Sequence, residues 1–186
     1  MLIARTYEQI ALDEPERRWE LVDGELRAKP DMSVDHNYVM YELTRQLAIQ
    51  LDPSRFQYRM NTALTHHSAE NVFVPDVLVV PVALVDSFVG RSSRFEVYAE
   101  PLPFVVEVWS PSTGSSDVAA KLPRYQERGD LEFWQIHALA PCVMVWRRQA
   151  DGSYRDAHLV SRTVALHGLP DIRIDLDRMF GTMPLR

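Results

Sequence analysis

Two carboxylates in strand-like surroundings are the residues of this chain best suited to chemistry. Asp76 precedes the apolar run Val77 to Val80, and Glu107 lies inside the run Phe104 to Trp109. Runs of β-branched and aromatic residues of this kind are typical of buried strands. A carboxylate is rarely buried unless it is paired or binds a cation. The pattern therefore predicts a divalent-metal site.

Hydrolysis of a phosphodiester is the reaction that suits such a site. Magnesium or manganese held by carboxylates neutralises phosphate charge and lowers the pKa of a bound water. Asp76 and Glu107 are the predicted metal ligands, and the carbonyl of Val108 is the expected third oxygen. Lys121 could orient or deprotonate the attacking water, or stabilise the charged transition state.

Each of these residues also has a purely structural interpretation. Asp76 could bond local backbone amides in a turn, because it follows a proline. Glu107 could form a structural ion pair with an arginine, and Lys121 could be an exposed helix lysine. His36 faces inward on a predicted helix, where a hydrogen-bonded core histidine is favoured over a phosphate or metal contact. Tyr125 shares a helix face with Lys121, and packing is its default role.

The elements that position these residues are mostly strands. A hairpin is predicted around the turn Asp23-Gly24. The two strands of this hairpin are expected at Trp19 to Val22 and Glu25 to Ala28. Further strands are expected at Phe56 to Leu64, Val77 to Val80, Phe104 to Trp109, Glu132 to Ile136, Val143 to Arg147 and Ser153 to Val160.

Helices are predicted in four places. They are a first helix opened by a capping box at Thr6, a second from Ser33 to about Leu51, a third from Asp117 to Arg128, and a short fourth from Asp175 to Phe180. The buried stripe of the second is His36, Met40, Leu43, Leu47 and Leu51. Pro123 predicts a late start or a kink in the third, which ends before Gly129. Together these elements predict an α/β (α+β) fold, a mixed sheet with helices packed on it.

Composition limits the classes of protein that fit. The 186 residues suit one domain, 1–186, and a mean hydropathy of −0.20 without a long apolar run predicts no membrane association. Cys142 is the single cysteine, which excludes an internal disulfide, and no signal peptide is evident, so a cytoplasmic location is expected. The net charge of −6 argues against a protein that coats nucleic acid by bulk electrostatics, but it does not exclude a nuclease.

The order and spacing of several short motifs resemble the Uma-two family, a branch of the PD-(D/E)XK nuclease superfamily. The motifs are Trp-Glu-Leu-Val-Asp-Gly-Glu-Leu at 19–26, Pro75-Asp76, Glu-Val-Trp-Ser-Pro-Ser-Thr at 107–113, and Lys121 with Tyr125. The resemblance implies a restriction endonuclease-like core in which Asp76 and Glu107 match the metal-binding carboxylates. The superfamily's usual lysine position holds Trp109 here, and the resemblance moves the lysine role to Lys121.

The resemblance also extends the predicted site and its function. Glu20 matches an N-terminal acidic residue that adds a metal or water contact, although an ion pair across its own hairpin is an equal alternative. The implied function is metal-dependent cleavage of nucleic acid, with DNA favoured, by a homodimer, because cutting both strands needs two active sites. Two alternatives stay open. One is a decayed nuclease fold that binds nucleic acid or protein, and the other is a hydrolase of small phosphate esters.

Overall fold

The computed structural model describes residues 3–90, 95–109, 114–159 and 162–181. Residues 110–113 of the motif that begins at Glu107 lie outside these ranges. Helices within them are α1 (Ala4–Asp13), α2 (Val34–Ala48), α3 (Val82–Val85), α4 (Gly114–Arg128) and α5 (Leu176–Phe180). None of the described helices is long and apolar enough to cross a membrane.

The described strands form three sheets. They are β1 (Trp19–Val22), β2 (Glu25–Ala28), β3 (Phe56–Met60), β4 (Leu64–Ser68), β5 (Asn71–Phe73), β6 (Val77–Pro81), β7 (Val97–Tyr98), β8 (Phe104–Trp109), β9 (Glu132–His137), β10 (Cys142–Arg148), β11 (Tyr154–Leu159), β12 (Thr163–Ala165) and β13 (Arg173–Asp175). The largest sheet has the order β11-β10-β9-β8-β6-β3, the second has the order β2-β1-β5-β4-β7, and β12 pairs with β13.

The six-stranded sheet is mixed because of one crossover. Strands β8 and β9 are parallel, and the other neighbours in this sheet are antiparallel. Two parallel neighbours need a long connection, and helix α4 supplies it. The helix therefore returns across the sheet next to β8, which brings its residues towards the strand that carries Glu107.

Side chains alternate between the two faces of this sheet. Val106 and Val108 belong to the core cluster that contains the inner side of α2, whereas Val105 packs in the cluster that contains Tyr125 of α4. Because side chains alternate along a strand, Glu107 shares the α4 face with Val105. The strand thus places one carboxylate under the helix that carries Lys121.

Several local predictions are confirmed. The hairpin of β1 and β2 has the predicted bounds, with positive φ at Asp23 (49°) and Gly24 (75°), and β8 also has its predicted bounds. Ser33 Oγ accepts a hydrogen bond from the His36 N–H at 3.1 Å and begins α2. Asp175 caps α5 in the same way.

Other local predictions are wrong. The strand expected from Phe56 to Leu64 is two strands in different sheets, separated near Asn61, whose φ is 51°. The N-cap of α1 is Ile3, without a side-chain hydrogen bond, so Thr6 does not open a capping box. The end of α2 at Ala48 is instead close to the predicted one at about Leu51, whose N–H still donates to the Leu47 carbonyl. Helix α4 begins at Gly114 and runs through Pro123, so a late start is excluded.

Candidate active site

The two predicted metal ligands meet where neighbouring strands end. Asp76 directly precedes β6, and Glu107 lies near the end of β8, which pairs antiparallel with β6 through Val77 and Val106. Asp76 Oδ2 accepts a hydrogen bond from the Val108 N–H at 2.6 Å. This bond joins two strands that are distant in sequence, so it is not the local turn contact considered as the alternative.

Lys121 and Glu20 complete an ionic cluster around Glu107. The Lys121 ammonium lies 2.8 Å from Glu20 Oε2 and 3.2 Å from Glu107 Oε1. Lys121 is 1% exposed and Glu20 is 5% exposed, so the lysine is not a surface residue. Glu20 Oε1 also accepts the N–H of Val74 at 2.8 Å, which ties β1 to the segment before Asp76.

Lys29 enters the same cluster from the end of the hairpin. Its ammonium lies 2.8 Å from Asp76 Oδ1 and 3.7 Å from Glu107 Oε2, and it donates a short hydrogen bond to the carbonyl of Val74. The Lys29 side chain is 8% exposed. Both predicted metal ligands therefore lie within 3.7 Å of one nitrogen atom that the sequence motifs did not assign to the site.

His36 and Tyr125 line the cluster from two different helices. His36 Nε2 of α2 lies 3.3 Å from Asp76 Oδ1, so this histidine belongs to the site as well as to the buried stripe of its helix. The Tyr125 hydroxyl of α4 donates to Glu107 Oε1 at 2.8 Å. Tyr125 thus orients a site carboxylate in addition to packing.

The pKa values of the two carboxylates are shifted in opposite directions. Burial alone would raise the pKa of Asp76, but the Lys29 ammonium and then His36 outweigh it and bring the pKa below its usual range. Burial raises the pKa of Glu107 to about 7, and the ammonium groups of Lys121 and Lys29 offset only part of that effect. Burial and the adjacent Glu107 raise the pKa of Tyr125 well above its ordinary value, so the phenol stays a donor.

The cluster surrounds a narrow cavity that both predicted metal ligands line. The cavity has a volume of ≈ 20 Å³, about the space that one water needs, and Glu20, Lys29, His36, Asp76, Glu107 and Lys121 are among its lining residues. Asp76 Oδ1 is buried, and the nearest cationic groups to it are the Lys29 ammonium at 2.8 Å and His36 Nε2 at 3.3 Å. This carboxylate oxygen therefore already interacts with a cation, the ammonium group of the protein's own lysine.

The donor set fits magnesium or manganese better than a softer metal. Among the described residues, no three His, Cys, Asp or Glu side chains are arranged so that they could hold a metal ion by themselves, which does not fit a closed zinc-type site. Magnesium takes oxygen ligands and commonly uses only one or two protein carboxylates, with water and phosphate oxygens completing its shell. Asp76 and Glu107 supply two carboxylates of this type.

The sequence motifs contain four of the charged residues in the cluster, and the fifth lies outside them. The structure brings together Glu20, Asp76, Glu107 and Lys121, and Val108 joins them through its amide. Lys29 was missed because no motif contains it. One signal did exist: the chain has 20 basic residues, and only Lys29 and Lys121 are lysines. Both lie in this site.

Comparison with known proteins agrees with the fold. A model of the Uma2 family, described as "Putative restriction endonuclease", matches residues 4–177. Among solved structures, a protein of Anabaena variabilis described as a "putative nuclease belonging to DUF820" is similar with a TM-score of 0.74 and 16% identity, over 91% of this chain and 97% of its own. At that identity the similarity shows the fold alone. Among curated proteins, none matches this chain.

Proposed function

Because this chain belongs to the Uma2 family, we propose that its ionic cluster is the active site of a nuclease that depends on a divalent metal. The observation that carries the proposal is the convergence of Asp76 and Glu107 at one narrow cavity. DNA is the proposed substrate, and magnesium or manganese is the proposed cofactor. A cytoplasmic homodimer is the proposed form of the enzyme.

The residues divide the work of hydrolysis between them. Asp76, Glu107 and the carbonyl of Val108 are the proposed metal ligands. The metal would neutralise the phosphate charge and lower the pKa of a water molecule. The Val108 N–H holds Asp76 Oδ2 in place, and the Tyr125 hydroxyl holds Glu107 Oε1, so both carboxylates are oriented before any substrate arrives.

Lys121 is the residue proposed to act on the attacking water molecule. Its ammonium is held by Glu20 and Glu107 at 2.8–3.2 Å, which fixes its position next to the cavity. From there it orients the water or stabilises the negative charge that develops on the phosphate. Glu20 assists by positioning Lys121, and its second tie to the Val74 N–H makes that position rigid.

Cleavage by matched variants tests this function. Wild type, Glu107→Gln and Asp76→Asn are incubated with plasmid DNA, single-stranded DNA and RNA, in magnesium, manganese or EDTA. Glu127→Gln is the matched control, because Glu127 is an exposed glutamate of α4. We expect metal-dependent cleavage by wild type and control, and a loss of roughly 100-fold or more in both site variants. Full cleavage by Glu107→Gln would refute the mechanism.

A nuclease fold without catalysis is the second candidate. The observation in its favour is that Asp76 and Glu107 both contact lysine ammonium groups, so the cluster is neutralised in part by the protein itself. Such a protein would bind nucleic acid or a protein partner. Nucleic-acid binding that persists in EDTA, with no cleavage under any metal condition, is the result that would favour this candidate over the nuclease.

A further inference from the structure

The Lys29 ammonium contacts the two carboxylates that the proposed function assigns to the metal. It lies 2.8 Å from Asp76 Oδ1 and 3.7 Å from Glu107 Oε2, and its third oxygen contact is the Val74 carbonyl. Two carboxylates and a carbonyl are the kind of oxygen set that binds a hard cation. In this structure the cation on these oxygens belongs to the protein.

The two lysines of the chain are held in different ways. Lys121 lies on helix α4, between Glu20 and Glu107, with its ammonium 5.4 Å from the centre of the Phe73 ring. Lys29 follows β2, which is the edge strand of the five-stranded sheet and is largely exposed. Its ammonium reaches the cavity on a flexible four-carbon stem. Of the two lysines, Lys29 is therefore the one whose backbone belongs to an exposed edge of the fold.

We propose that Lys29 is a tethered cation that competes with the divalent metal for Asp76 and Glu107, and that it withdraws when the metal binds. The inference rests on the proposed function, because it takes these carboxylates as metal ligands. Competition of this kind lowers the apparent metal affinity in proportion to the fraction of time for which Lys29 is away from the two carboxylates. Lys29 thereby sets the metal concentration at which the site becomes active.

Calorimetric titration of manganese tests the competition. The proteins compared are wild type, Lys29→Met and Arg27→Met. Methionine keeps most of the length of the lysine side chain without its charge. Arg27 is an exposed cation of β2 that pairs with Glu25, so its loss changes the same net charge away from the cavity. We expect Lys29→Met to bind manganese about tenfold more tightly or better, and Arg27→Met to bind like wild type.

The outcomes separate this proposal from the proposed function. Unchanged or weaker binding in Lys29→Met, while wild type binds manganese, would overturn the competition and leave the metal site intact. Absence of manganese binding in both proteins would overturn the metal site itself, and the competition with it. Manganese binding by Lys29→Met but not by wild type would support the competition, because Lys29 would then exclude manganese from the wild-type site completely.

A second measurement needs no variant, which matters if Lys29→Met folds poorly without metal. Amine acetylation of the wild-type protein is followed residue by residue, by mass spectrometry of peptides cut at arginine. Lys29 and Lys121 are the two lysines, so Lys121 is an internal control. Saturating magnesium should raise the acetylation rate of Lys29 about tenfold or more and leave Lys121 unchanged. A Lys29 that stays protected while metal is bound would overturn the proposal.

Discussion

Replacement of Lys121 by methionine should destabilise the protein strongly. The ammonium contacts Glu20 at 2.8 and 2.9 Å and Glu107 at 3.2 Å, and the side chains of the three residues are 2–7% exposed. Without the Lys121 ammonium, Glu20 still accepts the hydrogen bond from the Val74 N–H, but its buried carboxylate loses the counter-ion. Removal of one partner from such a pair costs about 3–5 kcal/mol.

The loss converts into a measurable change in melting temperature. A change of 1 kcal/mol shifts the midpoint by about 2–4 °C in a protein of this size, so Lys121→Met should melt about 6–20 °C below wild type. The assay is thermal and urea unfolding followed by circular dichroism, in EDTA at neutral pH. The added variant Glu20→Gln and the double variant complete a cycle. We expect the double variant to lose about 0.5–3 kcal/mol less than the sum of the two single losses.

Arg124→Met is the matched control for this experiment. Arg124 lies three residues after Lys121 on α4, and its side chain is 35% exposed with ion pairs to Asp23 and Glu127 at 3.3 and 3.0 Å. Exposed pairs of this kind contribute about 0–1 kcal/mol. If Lys121→Met and Arg124→Met were equally stable, or the cycle showed no coupling, the assignment of a closed buried cluster would be refuted.

Three further predictions concern stability and one concerns assembly. Burial and the charge of Arg128 lower the pKa of His67 to about 2 in the folded protein. In the unfolded chain a histidine binds a proton below about pH 6.5, so wild type should lose up to about 1.4 kcal/mol of stability per pH unit as the pH falls below that value. His67→Gln should lack this contribution in urea unfolding between pH 6 and 4, and identical pH slopes would contradict it. Gly129→Ala should cost about 1–2 kcal/mol in urea unfolding, because φ is +95° and the new Cβ would lie 3.3 Å from Pro101 Cγ; an unchanged midpoint would show that the helix end adapts. Arg128→Met should cost about 3–5 kcal/mol by thermal unfolding, since it leaves Asp130 buried without the guanidinium 2.6 Å away, and a loss under about 1 kcal/mol would be inconsistent with that burial. Light scattering at micromolar concentration should show a homodimer. A monomer would count against the proposal that the two active sites of one dimer cut both DNA strands.

The sequence by itself determined those parts of the protein in which the signal is local. The turn Asp23-Gly24 defines the hairpin, because both residues adopt positive φ. Ser33 begins α2 through its own side chain, and the apolar run Phe104 to Trp109 forms the strand with the expected bounds. The turn and the helix start depend on contacts between near neighbours in the chain, and the strand depends on a run of residues that favour a buried strand. The carboxylates of Asp76 and Glu107 were found for a related reason, since their apolar flanks already indicate burial.

The tertiary structure decided which residues share one site. Glu20 contacts Lys121 across 101 positions of sequence, and Lys29 reaches Val74 across 45. The segment from Phe56 to Leu64 reads as one strand, yet its halves pair in different sheets. Propensity sets the conformation of a segment but not its partner, because pairing between distant strands depends on the packing of the whole core. The ammonium of Lys29 on both proposed metal ligands is therefore a property of the folded chain alone.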